Sequence, residues 1–126
     1  MAASVADASV LAALLFDEPR RVEAEALLTG ADLVEPTLLP YELASVARKK
    51  IRLDPEQEEP VLRALDLLAA VPFRWVIVDQ RESVRLAVRT GLTTYDAAYL
   101  WTARSTGARL VTFDERLQAA IRETQA

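Results

Sequence analysis

Short apolar runs alternate along this chain with longer stretches in which apolar residues recur every three or four positions, the patterns of strand and helix respectively. Ser4-Val5-Ala6 predicts a first strand ending at Asp7, and Ala8 to Phe16 carries a helical pattern through Val10, Leu11, Leu14 and Leu15. Asp17-Glu18-Pro19 interrupts it and restarts a helix, since proline suits a first turn. Arg20 to Leu28 follows, with Val22, Ala26, Leu27 and Leu28 expected to face inward, and Thr29-Gly30 stops it. Leu33-Val34 predicts a brief second strand, and Glu35-Pro36 leads out of it. Thr37 is the expected N-cap of the next helix, where Pro40 is tolerated because early N–H groups lack intrahelical partners anyway. That helix has a Leu39, Leu43, Val46 and Ala47 stripe with Glu42 on its flank, and it runs out through Arg48-Lys49-Lys50-Ile51-Arg52.

Asp54-Pro55-Glu56-Gln57 reads as a capping box with proline in the first turn. Pro60 is expected to kink or reset that helix, which continues from Leu62 to Ala70. Arg74-Trp75-Val76-Ile77-Val78 is the clearest strand, nearly all apolar, and predicts a sheet covered on both faces. Asp79 closes it, and Arg81 to Thr90 is helical with Val84, Leu86, Ala87 and Val88 available for packing. Gly91 ends that helix as a left-handed C-cap, and Thr93 or Thr94 caps the next. Asp96 falls in its first turn, where the helix dipole favours a carboxylate, yet it leads an apolar stripe of Tyr99, Leu100 and Ala103. Gly107 caps the far end. Arg109 to Thr112 is the last strand, and Asp114 opens a final helix with Leu117 and Ile121.

Strand and helix alternate four times, which predicts an α/β fold with a mainly parallel sheet of four to five strands between helix layers. At 126 residues the chain is expected to be a single domain, residues 1–126, with a real hydrophobic core. No apolar run approaches the roughly 20 residues that span a bilayer. The N-terminus lacks the basic residues of a signal peptide, so a cytoplasmic protein without membrane association is expected.

Absent residue types restrict the chemistry further. With no Cys and no His, thiolate nucleophiles, Ser-His-Asp triads and His/Cys zinc sites are excluded. The net charge of −4 argues against nucleic-acid binding through bulk positive charge. The Arg48–Arg52 cluster reads first as a solvated helix end complementing the dipole, and second as an RNA-backbone contact through Arg48, Lys49 and Lys50. Carboxylates remain. Parallel α/β sheets build their sites at the carboxyl ends of the strands, where Asp7, Asp79 and Asp114 lie, with Glu42 and Asp96 near helix N-termini that face the same edge. Any one of them reads equally as a cap. Together they repel unless a cation neutralises them, and hard carboxylate oxygens suit Mg²⁺ or Mn²⁺. Such a site activates water for in-line attack on a phosphate ester.

Asp7 in Val5-Ala6-Asp7-Ala8-Ser9, Glu42 in Pro40-Tyr41-Glu42-Leu43, Asp96 in Thr94-Tyr95-Asp96-Ala97-Ala98-Tyr99-Leu100 and Asp114 in Val111-Thr112-Phe113-Asp114 together resemble a PIN domain. The closest group is the VapC-type toxins of toxin–antitoxin pairs, and the likeness spans essentially the whole chain. It implies an α/β/α sandwich and an endoribonuclease dependent on Mg²⁺ or Mn²⁺. Asp7 and Asp96 resemble the principal metal ligands, and Glu42 the glutamate that orients water or completes the metal shell. Asp114 resembles the fourth, most variable acid, and Thr112 the hydroxyl residue two before it. An RNA substrate, a cognate antitoxin and a homodimer are implied as partners. Asp79 falls outside the match and reads as a cap, and Asp17, Asp32 and Asp54 as turn acids.

Two alternatives stand beside this reading. A phospho-accepting receiver domain shares the length and the doubly wound sheet, with Asp79 imitating its acceptor. It lacks here the acidic pair after the first strand and the lysine after the last. A PIN fold serving only as a binding module would keep the shape without the chemistry, because fold alone does not grant activity.

Overall fold

The computed structural model describes residues 2–124. The alternation of patterns becomes β1 (Ala3–Ala6), α1 (Ala8–Leu15), α2 (Arg21–Leu28), β2 (Asp32–Pro36), α3 (Leu39–Leu53), α4 (Glu58–Asp66), β3 (Arg74–Val76), α5 (Gln80–Thr90), α6 (Thr94–Thr106), β4 (Arg109–Val111) and α7 (Glu115–Thr124). Single 3₁₀ turns at Pro55–Gln57 and Leu67–Ala70 flank α4. The described strands form one four-stranded sheet in the order β3-β2-β1-β4, every neighbouring pair parallel. Successive strands step outward from β1 to β3, and the chain then crosses back to the far side of β1. The switch point of the sheet therefore lies between β1 and β4, where α/β sheets open a crevice.

Helix α6 packs across β2, β1 and β4, while α1 contacts β1, α2 and α3. The main core joins Val5, Val10, Leu11, Val34, Leu39, Leu43 and Tyr99; a second cluster of Leu86, Ala97, Leu100 and Leu117 binds α5, α6 and α7 together. Helix boundaries follow local chemistry. Asp79 accepts a hydrogen bond from the Glu82 N–H, Thr93 from the Asp96 N–H, and Gly91 takes φ 76° at the C-cap of α5, a conformation open to glycine without strain.

Several expectations differ. Helix α3 has no side-chain cap; Leu38, not Thr37, precedes it. The residues Asp54 to Gln57 make no reciprocal capping box: the Asp54 carboxylate accepts from the Glu56 N–H and opens a 3₁₀ turn. In α2 the buried residue is Ala24, and Val22 is 78% exposed. Helical spacing alone did not fix the phase of a helix with apolar residues on two sides. In α5, Ser83, Leu86 and Ala87 are buried while Val88 is exposed. Strand β3 ends at Val76 and is an edge strand, with Trp75 and Ile77 exposed, so the sheet is not covered on both faces there. Glu35 and Pro36 are the last two residues of β2, both buried, rather than an exit from it.

Candidate functional site: an acidic rim at the sheet switch point

Asp7 follows β1 directly and caps α1. It is buried, 5% exposed, and its oxygens are heavily engaged. Oδ1 accepts from the Ser9 N–H at 3.1 Å, the Ser9 hydroxyl at 2.6 Å and the Val10 N–H at 3.4 Å. Oδ2 accepts from the Thr112 hydroxyl at 2.5 Å. Both hydroxyls hold the segment after β4 as well: the Asp114 N–H donates to Thr112 Oγ1 and the Phe113 N–H to Ser9 Oγ. Thus two side chains stitch the ends of β1 and β4 together across the switch point. Burial raises the Asp7 carboxyl above its usual range, against the opposing pull of the Ser9 and Thr112 hydroxyls and of the Val10 and Ser9 N–H groups.

Around Asp7 stand the other acids. Asp114 caps α7 by accepting from the Leu117 N–H at 2.9 Å. Asp96 is half-buried in the first turn of α6; burial raises its carboxyl, the charges of Asp114 and Asp7 raise it further, and the Thr93 hydroxyl and Arg116 oppose. Glu42 is half-buried in the first turn of α3, and Tyr99 OH donates to its Oε1 at 2.6 Å. Burial raises Glu42 too; the Tyr99 hydrogen bond lowers it and the charges of Asp96 and Asp7 push it up. The charges of Asp96 and Asp7 bear on Glu42, and those of Asp114 and Asp7 on Asp96, so Asp7, Glu42, Asp96 and Asp114 share one rim. Asp79 stays apart as an exposed helix cap.

Among the described residues, no three carboxylates close into a compact ligand cage. The donors on the rim are hard oxygens alone, and Oδ2 of Asp7 has capacity left after its single hydrogen bond.

Three contributors escaped sequence reasoning. Ser9 lay inside the Asp7 motif, two residues on, where a hydroxyl beside a capping acid is a recognisable signal. Tyr99 read as core stripe, which it is, but its hydroxyl reaches Glu42. Glu35 gave no signal. Completely buried, it accepts the Ala6 N–H at 3.0 Å through Oε2, while Oε1 finds no partner among the described residues. The β1–β2 ladder ends at Ser4 and Leu33, so this carboxyl replaces a strand partner for the N–H just before Asp7. Burial, together with the Asp7 charge, pushes it up to about 9 despite the Ala6 hydrogen bond.

The basic cluster is divided. Lys50 pairs with Glu18 at 2.5 Å and sits 5.6 Å from the Phe16 ring centre. Lys49 instead lines a hollow beside Glu42.

Comparison with known proteins agrees with this architecture. The family model described as PIN domain matches residues 4–123. Ribonuclease VapC3 of Pyrobaculum aerophilum is 30% identical over 118 residues, 90% of each chain. The crystal structure of PAE2754 from Pyrobaculum aerophilum superposes with a TM-score of 0.75 at 30% identity, covering 94% of this chain and 86% of that one. The crystal structure of Mycobacterium tuberculosis VapC20, described as a sarcin–ricin loop cleaving toxin, superposes with a TM-score of 0.71 at 18% identity, covering 94% and 95%. At that identity the second likeness concerns fold alone. A parallel sheet with acids gathered at its switch point, matched by the family model over nearly its whole length, makes this chain a member of the PIN-domain family.

Proposed function

We propose that this protein is a Mg²⁺- or Mn²⁺-dependent endoribonuclease and the toxin of a toxin–antitoxin pair, with Asp7, Glu42, Asp96 and Asp114 as its working acids. The observation that carries the reading is the buried Asp7 at the β1–β4 switch point, with Asp114 beside it and with Glu42 and Asp96 raised by burial and by the neighbouring acid charges. The similarity to a ribonuclease at 30% identity supports the same reaction class.

Asp7 and Asp96 would hold the divalent ion, with Asp114 at its margin. When bound, the ion offsets the charge of the carboxylates and of the phosphate, and lowers the pKa of a coordinated water. The chain supplies position. Ser9 and Thr112 fix the Asp7 carboxylate in one rotamer, and the Thr112 contact carries the Asp114 backbone with it. Glu42 is steered by Tyr99, and its raised pKa makes it a better proton acceptor for an attacking water than a solvated carboxylate. Arg116, near enough to lower Asp96, is placed to meet phosphate charge at the rim. A homodimer, a cognate antitoxin and a cytoplasmic setting belong to the same proposal.

The test is cleavage of RNA by the purified chain in Mn²⁺ and in chelator, beside Asp7→Asn and Asp96→Asn. Cleavage should vanish in chelator and fall at least 100-fold in both variants, with melting profiles retained, as expected when charge stabilisation at the reacting centre is removed. Full activity in either variant refutes the assignment.

A further inference from the structure

Two tyrosines stand immediately before two of the rim acids, Tyr41 before Glu42 and Tyr95 before Asp96, each within the first turn of its helix. Because successive helical residues point about 100° apart, the acids turn toward the rim while the tyrosines turn outward beside it. Both are strongly exposed, 80% and 63% respectively. Among the described residues neither hydroxyl makes a hydrogen bond within the protein, unlike that of Tyr99. They line one hollow of about 590 Å³ with Leu38, Glu42, Val46 and Lys49. Ligand clefts fall in this size range, about 300–1,000 Å³. Lys49 also lines an adjoining hollow of about 400 Å³ with Arg48, Arg52 and Leu53. A continuous path thus leads from Glu42, past two aromatic faces, to three cations for which no ion pair is found among the described residues.

We propose that this groove is a subsite for single-stranded RNA, in which Tyr41 and Tyr95 stack on the base beside the bond to be cut and Lys49 meets a neighbouring phosphate. Aromatic faces next to fixed cations suit unpaired nucleotides, since every base offers a π face and every linkage a negative charge. The local positive charge on a chain of net −4 complements a polyanion. A helix from a protein partner would leave those cations unmatched unless it were acidic. The subsite rests on the nuclease reading, deepening it from reaction to substrate form.

The test uses the full chain. Cleavage of single-stranded RNA by the wild type in Mn²⁺ checks the parent reading; anisotropy titrations in chelator, with a labelled RNA oligonucleotide, check the subsite. Tyr41→Ala and Tyr95→Ala should each weaken single-strand binding roughly 5- to 100-fold, as loss of one stacked base does. Tyr41→Phe and Tyr95→Phe should bind within about twofold of the wild type, because the ring carries the stacking. Lys49→Gln should reduce the slope of log K against log salt by about one phosphate's share, ~0.7 for a single strand. Melting temperatures should not move, because both tyrosines are solvent-facing. A wild type that cleaves RNA, with alanine variants that bind and cut as well as it does, overturns the subsite and leaves the nuclease intact. Alanine variants that alter oligomeric state or antitoxin capture at constant RNA affinity overturn it in favour of a protein contact. A wild type that neither cleaves nor binds RNA brings down both.

Discussion

Glu35 shows what a single residue can add when its surroundings are assembled from elsewhere. Its folded pKa, about 9, lies above the value of an unfolded glutamate, so the native state holds a proton that the unfolded chain releases. Stability from this group is full below the unfolded pKa and is lost as pH rises toward 9, at up to ~1.4 kcal/mol per pH unit. Asp7, Glu42 and Asp96 are raised as well and slope the same way. Glu35→Gln keeps a neutral polar group and a carbonyl for the Ala6 N–H. Urea unfolding at pH 5, 7 and 9 should show a shallower decline in this variant, which should exceed the wild type in stability at pH 9. Parallel declines would show that Glu35 is not a buried neutral acid.

At the scale of elements, α6 links packing to the site. Its stripe of Tyr99, Leu100 and Ala103 is buried, and its first turn carries both Tyr95 and Asp96. Thr93 fastens that turn by accepting from the Asp96 N–H at 3.1 Å. Thr93→Ala should cost about 1 kcal/mol of stability, as lost caps do, and should lower cleavage by loosening Asp96; Thr93→Ser should restore both. Unchanged thermal melting and activity in the alanine variant would separate the cap from the site. The caps at Asp79, Thr93 and Gly91 and the α6 stripe were legible in the sequence because each is written in neighbouring residues. The phase of α2 and the exposure of β3 were not: an apolar run reads alike in a central strand and at an edge, and only sheet order distinguishes them.

For the whole molecule, the acids act together. Raised carboxyls at one rim mean that charge is held there at a cost, which a bound cation offsets. Millimolar Mn²⁺ should therefore raise the melting temperature by preferential binding to the native state, and the rise should be larger at pH 8 than at pH 6, because the carboxyls must ionise to ligate. Asp7→Asn should abolish most of that response. An unshifted melting curve for the wild type at saturating metal would refute the cation site.

The sequence by itself determined the order of strands and helices, the parallel sheet, most of the caps and the identity of the acids at strand and helix ends. These depend on periodicity, glycine conformation and local hydrogen bonding, all set within a few residues. Tertiary structure alone decided which groups meet. Thr112 reaches Asp7 across 105 positions and Tyr99 reaches Glu42 across 57, Glu35 is sealed under the rim, and Lys50 is taken by Glu18 while Lys49 faces the groove. Contacts between distant positions follow from sheet order and helix packing, and no local pattern records them.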